Sequence, residues 1–215
     1  VRYDKLVDGE KTLSVVFAVS LVTANIVATK IAFVGGYAVP AGFVGIGVAF
    51  LCSDLLGELY GREAARKTVN ATLVGLIVAW GLVYSAVWMK PAPFYPAADA
   101  FQAVLGASGT IVTASVLTMA VSQNLDVEIF HRLKTVTDGE YAWVRNLGST
   151  TVSQFVDTSL FIILGFVILP MLIGGTTTPL VAVPSLIIGQ YVVKLVVAGL
   201  DTPFFYVVRG VSDRA

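Results

Sequence analysis

Residues 68–89 read "TVNATLVGLIVAWGLVYSAVWM", without one charged side chain. Wound as an α-helix at 1.5 Å per residue, this stretch reaches across the roughly 30 Å hydrocarbon core of a bilayer. In water such a helix would have to be sheathed on every side, whereas in a membrane the lipid itself is its solvent. Five more apolar runs of about 20 residues accompany it. Together the six expected spans are Thr12 to Val34, Val39 to Leu59, Thr68 to Met89, Phe101 to Phe130, Leu147 to Leu172 and Leu180 to Val208. The runs are continuously apolar and not alternating, which selects helices over barrel strands. No linker separates them. The expected fold is therefore an all-α integral membrane protein, a bundle of six transmembrane helices forming a single domain over residues 1–215.

Composition agrees with that reading. The chain of 215 residues is 56% hydrophobic and 13% charged, with a mean hydropathy of +0.83, well outside the range of soluble domains. Net charge is zero, with 14 basic and 14 acidic residues, so nothing recommends nucleic acid as a partner. A single cysteine, Cys52, rules out an internal disulfide and a cysteine-based metal cluster, and a single histidine, His131, argues against a Ser/His pair. Neither metal nor cofactor is expected. The polar lead-in and the length of the first apolar run argue against a cleavable signal peptide.

Lys and Arg are distributed asymmetrically between the spans. Arg2, Lys5, Lys11, Arg62, Arg66, Lys67, Arg132, Lys134, Arg145, Arg209 and Arg214 fall on one side, against Lys30 and Lys90 on the other. The positive-inside rule puts the first group, and with it both termini, in the cytoplasm. Three departures from plain apolarity stand out within the connecting and packing segments. The second span is glycine-rich, and Ala41, Gly45 and Ala49 recur every four residues as a smooth strip for close helix approach. "GREAARK" from Gly61 reads as a surface helix, with Glu63 and Lys67 at i, i+4, and Asp138-Gly139 marks a turn between the fourth and fifth spans.

Polar groups inside the spans carry the functional question. "SQNLDVEIF" (122–130) and "SQFVDTSLF" (153–161) repeat Ser-Gln, two spacers and Asp on antiparallel helices. Gln123 and Gln154 then lie at a common depth, roughly 12 Å from the cytoplasmic boundary, where the two motifs can face each other. Asp126 is shallower and Asp157 deeper. Asp54, Asp201, Lys194 and Asn25 complete a cluster. Burying a charge at mid-membrane costs about 2.5–3.5 kcal/mol or more, so such groups pair or line a cavity. Four aspartates and one lysine cannot all pair. Ser122, Ser153 and Asn25 are equally readable as helix-to-helix contacts. The candidate binding residues are Gln123, Asp126, Gln154, Asp157, Gln190, Lys194, Asn25 and Asp54.

Four separated motifs, "SDLLGELYGREAARK" (53–67), "SQNLDVEIFHRLK" (122–134), "RNLGSTTVSQFVDTSLF" (145–161) and "QYVVK" (190–194), resemble the queuosine precursor transporter family, also called the vitamin uptake transporter family. The resemblance implies a multi-pass carrier of the cytoplasmic membrane that imports 7-deazaguanines, the cyano and aminomethyl compounds, for tRNA modification. Its partners would be that small molecule and the lipid bilayer, with a homodimer allowed and no nucleic acid. The residues suit such a ligand. A carboxylate can accept both the ring N–H and the exocyclic amine, a side-chain amide can reach the carbonyl, and Phe155, Phe161 or Tyr191 offers a stacking face. Two rivals remain open. One is the substrate-binding subunit of an energy-coupling factor importer, whose ATPase partners would supply the ATP that no motif in this chain binds. The other is an intramembrane enzyme using paired aspartates, disfavoured because no nucleophile with a base, metal spacing or cofactor motif accompanies them.

Overall fold

The first helix, α1 (Arg2–Val27), stops short of the end of its apolar run. Thr29 Oγ1 donates to the Ile26 carbonyl at 3.0 Å and the Lys30 N–H to that of Val27 at 3.1 Å, closing the helix. The chain then forms a β-hairpin, β1 (Ile31–Val34) and β2 (Tyr37–Pro40), in antiparallel register Ile31↔Pro40 to Val34↔Tyr37. Gly35 and Gly36 take φ of 57° and 87°, the two-residue turn whose twist matches paired strands. This corrects the expectation of a first helix reaching Val34 and a second beginning at Val39. "IAFVGGYAVP" is apolar enough to look like span, but its β-branched and aromatic residues flank a Gly-Gly turn.

Beyond the hairpin lies α2 (Phe43–Leu59), packed closely on α1. A Cβ on Gly45 would sit 2.8 Å from the Ser20 carbonyl oxygen, and one on Gly42 would collide with that of Ala24. Ala49, one turn on, is buried. The small-residue strip is thus used by α1, with Gly42 in it and Ala41 half-buried beside it. Gly61, at φ 90°, separates α2 from α3 (Arg62–Trp88). After Gly61 the rest of "GREAARK" is the first turns of α3 itself and not a separate surface helix, and Glu63 and Lys67 pair at 2.9 Å on its exposed face. Farther along α3, the rings of Trp80, Tyr84 and Trp88 form a ladder with centroid separations of 5.4 and 6.1 Å.

The computed structural model describes residues 2–136, 142–173 and 175–196. The expected turn at Asp138-Gly139, Asp201 and the expected continuation of the last span to Val208 lie outside them. α4 (Ala98–Val136) and α5 (Ala142–Ile163) form an extensive antiparallel pair. α5 widens into a π-turn at Leu164–Ile168 before its final turn, Leu169–Leu172. Pro170 explains the widening: its ring would strike the carbonyl four residues back, and it has no N–H to offer it. That carbonyl, on Phe166, accepts the N–H of Thr178 at 2.9 Å instead. The last described helix, α6, spans Leu180–Val196.

Four of the helices contain stretches long and apolar enough to cross a membrane, Gly9–Val27, Glu63–Trp88, Ala98–Ser122 and Thr151–Leu172, while α2 and α6 are shorter and apolar. α1, α2 and α3 touch one another, α4 and α5 form the second group, and α4 joins the two through α1 and α3. Near the hairpin a buried apolar cluster of Ala28, Ala38, Ile111, Phe161, Phe166 and Leu186 ties the groups together. β2 lies against α6: a Cβ on Gly189 would stand 2.6 Å from the Ala38 carbonyl oxygen, and the Ala38 N–H donates to Ser185 Oγ at 3.1 Å.

Candidate functional site

Between the helix groups is a cavity of about 280 Å³, at the small end of the roughly 300–1,000 Å³ usual for ligand pockets. α1 to α5 and α6 all contribute to its wall. Its apolar side includes Phe17, Phe50 and Phe161. Its polar side is one connected arrangement. Lys194, on α6, donates to Asp157 Oδ2 at 2.7 Å and to Gln154 Oε1 at 3.3 Å. Ser122, on α4, donates to the other carboxylate oxygen of Asp157 at 3.0 Å. The ammonium also stands 5.9 Å from the centre of the Phe50 ring, within cation–π range.

Helical spacing accounts for the convergence. Gln154 and Asp157 are three apart on α5, and Gln190 and Lys194 are four apart on α6, so each pair presents one face to the cavity. On α4 the residues Ser115, Thr118 and Ser122 make a polar stripe at the same intervals. Ser115 donates to Asn25 Oδ1 at 2.5 Å, while Asn25 Nδ2 donates back to the Leu21 carbonyl at 2.9 Å. The Asn25–Ser115 bond joins α1 to α4 and so spans the two helix groups. Gln190 is 2% exposed, and its Oε1 has no hydrogen-bond partner among the described residues. An unmade bond on a buried carbonyl oxygen costs about 1–3 kcal/mol, which a bound donor can restore.

Of the residues singled out in the sequence, Asn25, Gln154, Asp157, Gln190 and Lys194 meet at this cavity. The side chains of Gln123 and Asp126 lie outside the described part of the structure. Asp54 is exposed and is not in the wall, because each residue turns a helix by about 100° and it is Phe50 and Ser53 that face inward. Phe155 and Tyr191 are also elsewhere, packed edge to face at 5.4 Å, and the aromatic wall is instead Phe17, Phe50 and Phe161. Phe17, Phe50 and the stripe at Ser115 and Thr118 were missed. The i, i+3, i+7 spacing of hydroxyls on α4 was the available signal for the stripe, whereas a phenylalanine in an apolar helix carries no mark that separates cavity from lipid.

Several membrane-length apolar helices gathered round a mostly apolar cavity with one polar corner make this a multi-pass membrane protein. The chain belongs to the family described as "Putative vitamin uptake transporter", which matches residues 40–208. It is 26% identical over 202 residues to "Probable queuosine precursor transporter" of Bacillus subtilis (strain 168), covering 94% of this chain and 85% of that one. It is also 26% identical over 117 residues to "Queuosine precursor transporter" of Escherichia coli (strain K12), covering 54% of this chain and 50% of the relative. No solved structure matches the chain.

Proposed function

We propose that the protein imports a queuosine precursor, a 7-deazaguanine base, across the cytoplasmic membrane, and that Asp157 is the centre of its binding site. The observation that carries this reading is the Asp157 carboxylate, held inside the cavity by Ser122 on one oxygen and Lys194 on the other. Each carboxylate oxygen has about two acceptor positions, and among the described residues one on each is taken, leaving one on each for the ligand. A deazaguanine offers two adjacent donors, the ring N–H and the exocyclic amine, to take them. Gln190 Oε1 supplies a further acceptor for a ring N–H, Gln154 an amide for the carbonyl, and Phe17, Phe50 or Phe161 a face for the ring.

The same pair supplies a means of energy coupling without ATP. A substrate that binds Asp157 competes with Lys194, and a proton taken up by the carboxylate would release the ammonium, so substrate and proton occupancy are linked at one atom. The chain then works as a secondary carrier, with both termini inside as the charge asymmetry requires. Uptake of labelled 7-deazaguanine by cells that cannot synthesise it is the test. The proposal expects uptake that depends on this chain alone and collapses with an uncoupler. Uptake that also requires coupling ATPase genes would identify an energy-coupling factor subunit, and no uptake would discard the substrate.

A further inference from the structure

We infer that β2 and α6 form a gate over one end of the cavity, and that the hairpin swings off α6 as a body to let a ligand pass; this rests on the carrier reading above and not on which ligand is carried. Ala28 and Phe161 belong both to the cavity wall and to the buried apolar cluster beside the hairpin, so the cluster begins where the cavity ends. Its buried members are all apolar, and Ala114, Ile162 and Leu186 are completely buried. A polar heterocycle has no path through such a seal while it is shut. In the orientation we propose from the basic residues, the shut end is the outer one.

The hairpin is built to part from α6. Its two strands pair with each other from Ile31↔Pro40 to Val34↔Tyr37, and the Ala41 N–H donates to the Lys30 carbonyl at 2.7 Å across its base. Toward α6, the hydrogen bond described is the one from the Ala38 N–H to Ser185 Oγ. Lifting the flap therefore breaks that bond and leaves the internal ladder whole, and the freed N–H exchanges its partner for water. Gly189 presents no side chain at the seam, so Tyr37, Ala38 and Val39 lie against bare helix. On the other strand Ile31, Phe33 and Val34 are exposed, so no described part of the protein covers β1 and holds the hairpin down. A carrier opens its site to one side at a time. The sealed cluster marks this structure as the state closed at the hairpin end.

Cysteines replacing Ala38 and Ser185 in a Cys52→Ala background can be joined by a short bifunctional thiol reagent and released by a reducing agent. Joining them keeps the contact and removes only its freedom to open. In cells expressing the full chain, uptake of labelled 7-deazaguanine by this variant should fall at least about tenfold on joining and return on reduction. Uptake undiminished by the link overturns the gate and makes the contact a fixed brace. If intact mass shows two separate reagents on the chain in place of one bridge, β2 does not lie on α6 and the gate falls with it. A second chain decides the matter even where the cysteine pair itself stops transport: a cysteine at Ala28 should react with an impermeant reagent applied outside at least about tenfold faster when Gly189→Leu is added. Equal rates overturn the gate. No uptake by the wild-type chain discards the carrier reading instead, and the Ala28 rates still decide whether the hairpin shuts this end.

Discussion

At Asp157 two bonds of different worth can be separated by substitution. Asp157→Asn keeps the volume and lets the chain insert, but it strands the Lys194 ammonium, for which breaking a buried pair costs about 3–5 kcal/mol. Apparent affinity for substrate should fall by about a hundredfold, and the thermal transition of the detergent-solubilised protein should drop; normal uptake would remove Asp157 from the site. Ser122→Ala removes one neutral donor to the same carboxylate and should cost about 1 kcal/mol, a severalfold change in half-saturation measured in the same uptake assay. How far these residues could be read in advance follows from their chemistry. Asp157 and Lys194 announce themselves because a charge deep in an apolar run needs a reason. Which aspartate pairs with the lysine is not written in the run, since it depends on the rotation of α5 against α6, and Asp54 shows how one step around a helix moves a carboxylate out of the cavity.

The hairpin and α6 form a contact that can be tested as a unit. With a Cβ on Gly189 falling so near the Ala38 carbonyl, Gly189→Leu must push β2 off the helix and break the Ala38-to-Ser185 bond. Overpacking of this kind costs about 1–3 kcal/mol. A cysteine at Ser185, half-buried in the wild type, should react faster with a thiol reagent in a Cys52→Ala background when Gly189→Leu is present. Since Gln190 and Lys194 follow on the same helix, uptake should fall with it; unchanged reactivity and uptake would mean that the contact positions nothing. Element by element, the long apolar helices were legible because their composition leaves no alternative, and the places where the expected spans were wrong are local backbone events. The hairpin around Gly35-Gly36 takes up chain expected to be helix, while the π-turn at Pro170 falls within the expected fifth span and leaves its bounds unchanged; neither shows in a hydropathy window, because neither changes how apolar the chain is.

For the molecule as a whole, orientation in the bilayer is the statement that every depth depends on. In the orientation we propose from the distribution of basic residues, both termini and the segment from Arg62 to Lys67 would lie inside, with Lys90 and the "PAPFYP" loop (91–96) opposite. In a Cys52→Ala background, a membrane-impermeant thiol reagent applied to intact cells should label a cysteine at Ala97 and leave one at Ala64 unlabelled. The opposite pattern would invert the carrier.

The aromatic ladder on α3 gives that orientation an optical reading. Trp80 and Trp88 lie eight residues apart on one helix, so their indoles differ in depth by about 12 Å if the axis stands upright. Trp88 is largely exposed near the helix end, while the Trp80 indole nitrogen packs against Gly109. Lipids brominated at successive acyl carbons should therefore quench the two emissions at different positions, shallow for Trp88 and deep for Trp80, when each is kept in turn with the remaining tryptophans replaced by phenylalanine. The difference between the two quenching depths, compared with the distance along the helix, measures the tilt of α3 in the membrane.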